Sequence, residues 1–183
     1  MNSTKFIDQL IVNVKEQINK AKMLKELDDE VLFFKSSSKH WNSLECLEHL
    51  NLYGEYYHPK LREAIENSTV KPSLFFKRGL IGGYFSRSML PKTKLNKMTT
   101  FKDKNPINQS LDRKVIDTFI NQSQELLNLL EKSKHSNLIK VKVGISITKL
   151  IKLRLGDLFE FIINHNTRHL NQVDRCIKAG KVM

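Results

Sequence analysis

Two histidines one helical turn apart are the strongest chemical signal in this chain. The run His165-Asn-Thr-Arg-His169-Leu-Asn-Gln172 lies in a segment of helical period, so His165 and His169 share a face and Gln172 continues it by another turn. Leu158 and Ile162 precede them on the same stripe and Cys176 follows. Both imidazoles are therefore predicted to point inward. A buried polar ring needs a partner, and two adjacent ones need several hydrogen bonds or a metal ion. His49 falls mid-helix between Cys46 and Tyr53 on one stripe. If the second and last long helices are neighbours, three imidazole nitrogens converge. Three nitrogen ligands at about 2.0–2.1 Å leave a fourth position for water or substrate, the pattern of a catalytic metal site. Imidazole suits Zn, Ni, Cu or Fe, so donor type alone does not choose the ion. Taken singly, a His-x3-His pair is more often a surface pair, and His49 a satisfied core histidine. The shared inward phase is what favours a metal. His40 and His135 fall in predicted loops and are expected to be solvated. His58, just before Pro59, is expected at the helix surface or an interface.

Four helical segments have to position these groups. Residues 4–27 carry Phe6, Leu10, Val14, Ile18 and Ala21 at near-regular spacing. A second helix follows from Ser43 to about Asn67, with Asn42 as N-cap and Glu45 at the capping-box position. Within it, Gly54 suggests a close approach by a neighbour, and Pro59 is expected to kink or divide the helix. Residues 110–133 and about 156–177 complete the set, while 147–155 reads equally as strand or helix. These segments predict an all-α, single-domain four-helix bundle over residues 1–183.

The formal net charge is +12, and between Ser68 and Lys104 nine basic residues face one acid, Asp103. That long connection between helices two and three carries Phe75, Phe76, Tyr84 and Phe85, so it reads as a packed or lid-forming element. No apolar run reaches the ~18 residues of a membrane span, and no secretory leader is evident, so the cytoplasm is the expected compartment. Cys46 and Cys176 read as small buried thiols rather than a disulfide framework.

The run Trp41-Asn-Ser-Leu-Glu-Cys-Leu-Glu-His49-Leu, together with His165-x3-His169-x2-Gln172, resembles the DinB/YfiT-like superfamily over nearly the whole chain. The resemblance implies an antiparallel bundle of up-down-down-up topology, with His49, His165 and His169 as ligands of one divalent transition metal, zinc or nickel first. Members with assigned activities are thiol-dependent S-transferases using bacillithiol or mycothiol, or related transferases and hydrolases. A small-molecule substrate, a low-molecular-weight thiol cofactor and a homodimer are accordingly expected. The chain departs from the family in having Asn42 where Ser is frequent, and in the length of its basic connection.

On this reading Gln172 hydrogen-bonds a ligand or orients substrate, and Glu48 is a candidate for supporting His49 or for proton transfer, although a solvent-facing glutamate is the commoner case. Glu45 belongs to the cap, and Arg168, off the inward stripe, to the surface. The competing reading is a basic module for nucleic acid or an anionic surface, with the aromatics as stacking or inserting groups. It accounts for the charge but leaves three inward histidines without a purpose, so nucleic acid is not the expected partner.

Overall fold

The structure is a computed structural model and describes residues 1–90, 100–146 and 148–182, so three of the nine basic residues of the connection, Lys92, Lys94 and Lys97, lie outside the described residues. Helix α1 spans Ser3–Leu24, α2 Asp29–Phe33, α3 Ser43–Glu66, α4 Leu80–Met89, α5 Lys114–Ser133 and α6 Leu155–Gly180. A 3₁₀ turn covers Lys102–Lys104, and strands β1 (Lys142–Ile145) and β2 (Thr148–Arg154) precede α6. The protein is thus mostly helical, as expected, with a small sheet added. β1 and β2 pair antiparallel, Val143 opposite Leu153, with a bulge after Gly144. Of the 147–155 segment, Thr148–Arg154 is strand and Leu155 opens α6; Val143 and Ile145 of β1 and Leu153 of β2 are buried on the hairpin.

The long helices begin and end where local chemistry dictates. Asn42 accepts the Glu45 amide at 2.8 Å, and the Glu45 carboxylate accepts the Asn42 amide at 2.9 Å, closing the expected capping box. Helix α3 runs undivided through Pro59. α1 stops three residues early because Arg113 donates to the carbonyls of Lys25 and Leu27 and pairs with Asp29. α5 starts at Lys114, not 110, because the Asp112 side chain takes the Lys114 amide at 2.8 Å.

α1 and α3 each pack on both α5 and α6. Their apolar residues divide into two clusters. The first takes Phe6–Ile18 of α1, Tyr57 and Leu61 of α3, Leu126–Leu130 of α5 and Leu155–Ile163 of α6. The second takes Ala21 and Leu24, then Leu44–Leu50, Val115–Phe119, and Leu170 with Val173. Each helix crosses from one cluster to the other through polar residues. Gln17 donates to the Ile163 carbonyl and to Thr167, and Asn166 donates back to Gln17. His49 and His165 lie at the same changeover.

The connection after α3 is folded rather than loose. Among its described residues, Phe76 is buried and stacks on Phe6, and α4 lies along α6 with Gly82 so close to Asp157 that an added Cβ would sit 2.4 Å from it. Gly156 is equally constrained: a Cβ there would lie 2.6 Å from the Phe76 ring. Because that ring is held between Phe6 and α6, Gly156→Ala is expected to cost about 1–3 kcal/mol by overpacking. Equilibrium urea denaturation checks this, and an unchanged midpoint would show that Phe76 can give way.

A three-histidine centre at the foot of a basic cleft

His49 owes its orientation to both ends of its surroundings. The capping box fixes the start of α3, and the same Glu45 carboxylate takes Lys35 Nζ and the Asn108 amide, each at 2.6 Å. That clamp holds the chain following the 3₁₀ turn against α3. The Lys104 carbonyl then lies 2.7 Å from His49 Nδ1. A carbonyl only accepts, so Nδ1 carries the hydrogen and Nε2 is left with its lone pair. That Nε2 is 3.2 Å from His165 Nε2. On α6, His169 Nδ1 lies 3.1 Å from the Gln172 side-chain oxygen, which assigns the same tautomer to His169.

One nitrogen from each of the three histidines lies within 4.8 Å of the others. Metal–nitrogen bonds of about 2.0–2.1 Å at a tetrahedral angle require nitrogens about 3.3 Å apart, and the His49–His165 separation already meets this. The donor set therefore fits a divalent transition metal. Backbone and amide acceptors behind two of the rings are the outer-shell contacts that orient metal-binding histidines.

Burial sets the protonation of the cluster. It lowers His49 to about 4 despite the Lys104 bond, and lowers His169 to about 3 with help from His49. His165 is pushed well below the ordinary value by burial and then by its two histidine neighbours. All three are neutral at neutral pH, the form that ligates. Rings enclose them: Trp41 lies 4.8 Å from His49, Phe161 is stacked on His165, and Tyr53 meets both edge-on. Burial pushes the Tyr53 hydroxyl up to about 12, so it stays protonated.

The cluster opens into a cleft of about 530 Å³. Lys39, Arg168 and Arg175 line it, and no acid does among the described residues. Arg168 was expected at the surface, yet it is three residues from His165 and four from Gln172, which brings it onto the cleft face. Cys176 also lines the cleft, with the buried Cys46 behind it. The contact between the two thiols, then burial, pushes Cys46 up; the same contact pushes Cys176 down.

The other expected residues separate. Gln172 is in the cleft and bound to His169. Glu48 is half-buried, accepts from Asn51 at 3.2 Å, and lies outside the cleft lining. His58 is buried, not superficial, 3.6 Å from Glu125, and burial lowers its pKa. Lys39 and Arg175 went unremarked because lysines and arginines off an apolar stripe carry no signal of their own. Gln172→Ala is expected to weaken metal affinity by about 10–100-fold, the usual loss for an outer-shell partner. Competition against a chromophoric chelator measures this, and an unchanged affinity would leave Gln172 as cleft lining alone.

The family model described as the DinB superfamily matches residues 18–173. No curated protein and no solved structure matches the chain.

Proposed function

The chain belongs to the DinB superfamily, and from that premise we propose that it is a metal-dependent enzyme acting on a small anionic molecule. The observation that carries this is the pair of outward-tied Nδ1 atoms. The Lys104 carbonyl behind His49 and the Gln172 oxygen behind His169 turn both Nε2 atoms toward one point beside His165. The order in which α1, α3, α5 and α6 traverse the two apolar clusters supports the up-down-down-up bundle that brings α3 beside α6.

His49, His165 and His169 would hold the ion, zinc or nickel first. When bound, it would act as a Lewis acid at its open position, lowering the pKa of a water or thiol there. Gln172 holds the His169 ring in its ligating tautomer. Tyr53, protonated throughout the neutral range, is positioned to donate rather than accept. Phe161 backs His165 from outside the cleft lining, and Trp41 lies beside His49 within it. Lys39, Arg168 and Arg175 supply attraction for carboxylate or phosphate on the substrate. A low-molecular-weight thiol bearing carboxylates meets both requirements, which favours S-transfer over hydrolysis.

Cobalt(II)-loaded protein tests this. Adding such a thiol is expected to produce a thiolate-to-cobalt charge-transfer band, weaker in an Arg168→Ala/Arg175→Ala variant at the same thiol concentration. A cobalt spectrum indifferent to every thiol, with the ion nonetheless bound, would reject the transferase reading.

A further inference from the structure

Helix α4 is amphipathic in the wrong sense for a core helix. Its buried face is Gly82, Gly83, Ser86 and Met89, laid against α6, while its outward face presents Leu80, Ile81 and Tyr84. Leu80 is 94% exposed, Tyr84 67% and Ile81 56%. Just before the helix, Leu74 and Phe75 are 78% and 67% exposed. They do not stand out because the chain is loose there. The Ser3 amide donates to the Leu74 carbonyl at 3.0 Å, the Phe76 amide to the Met1 carbonyl at 2.9 Å, and Asn2 bridges Phe75. Five large apolar side chains are thus exposed on a pinned segment and on the helix that follows it in sequence, an exposure that water disfavours.

Charge indicates what covers it. Lys71, Lys77, Arg78 and Arg87 are exposed on the same segment, and no acid occurs in sequence between residues 68 and 101. Of the nearby acids on α6, Glu160 is paired with Arg78 at 2.7 Å and Asp157 is buried against the Gly79 amide. A second copy would bring like charges together across this face. Nucleic acid would answer the charge but not the aliphatic side chains, because bases stack on rings and Leu74, Leu80 and Ile81 offer none; of the four aromatics between residues 68 and 90, Phe76 is buried and Phe85 packs on Phe161. Lipid answers both: acyl chains take the aliphatics, headgroup phosphates take the cations, and Tyr84 suits the boundary. No helix among the described residues is long and apolar enough to cross a membrane.

We propose that the outward face of α4, with Leu74 and Phe75, docks on an anionic lipid surface. The full chain floated with vesicles tests this. It is expected to partition onto phosphatidylcholine vesicles containing phosphatidylglycerol, and not onto pure phosphatidylcholine. Leu80→Ser/Ile81→Ser/Tyr84→Ser should reduce that partition by more than about tenfold with the circular dichroism unchanged, since all three side chains already face water. Should that variant misfold, Lys77→Glu/Arg87→Glu, confined to exposed charges, is expected to give a comparable loss. No partition onto anionic vesicles would overturn the proposal, as would a partition that the charge-reversed variant retains. A wild-type dimer that the serine variant converts to monomer would assign the face to a second copy instead.

Discussion

Zinc or nickel is expected to raise the melting temperature of the wild-type protein, and replacing His165 with alanine is expected to abolish that stabilisation. An ion that binds the folded chain alone stabilises it by about 4 kcal/mol when present at about 1,000 times its dissociation constant. For a chain of this length, that raises the melting temperature by roughly 10 °C. His165 is the middle donor, 3.2 Å from His49 and one turn from His169, so its loss leaves two nitrogens on opposite helices and no third. His49→Ala and His169→Ala should behave alike. The metal-free protein should respond in the opposite direction to an apolar replacement. Imidazoles whose pKa values burial lowers are held together at a cost, so His165→Leu, seated on Phe161 and Tyr53, is expected to leave the metal-free melting temperature unchanged or higher. Differential scanning fluorimetry with and without metal reads both effects. A full metal-induced shift surviving in His165→Ala would place the ion elsewhere.

The second large effect is the acid sensitivity of the metal-free chain. In the unfolded state the imidazoles protonate near 6.5, whereas folded His49 does so only at about 4 and His169 at about 3. Between those values the unfolded state holds more protons, so stability rises with pH. It is intact above about 6.5 and falls as pH drops toward 4, by up to about 1.4 kcal/mol per pH unit for each histidine. Urea midpoints measured between pH 7 and 5 check the slope. The His49→Leu variant should lose about one histidine's share of it, and identical slopes in variant and wild type would show that these rings are not protected from protons.

Much of the histidine cluster is legible in the sequence because helical phase is a strong constraint. Leu158, Ile162, His165, His169 and Cys176 form one stripe on the sequence and one face in the structure. His49 is placed by its position between Cys46 and Tyr53 on one stripe, in a helix whose start the capping box at Asn42 and Glu45 marks. What could not be read came from contacts distant in sequence. Nothing local to Lys104 says that its carbonyl will meet His49 fifty-five residues away. Arg168 looked superficial because an apolar stripe is narrower than a cleft wall. Nothing local to Gly82 says that it lets α4 lie flush on α6, where a Cβ would sit 2.4 Å from Asp157. The sheet was half-seen, because a short apolar run suits strand and helix equally until its partner is known.

The most direct test of the three-histidine centre is the metal content of tag-free protein by mass spectrometry, beside a His165→Ala/His169→Ala variant. The geometry predicts about one equivalent of a transition metal in the wild type and almost none in the variant. Wild-type protein that takes up no metal after incubation with zinc and nickel, or a variant that retains a full equivalent, would contradict it.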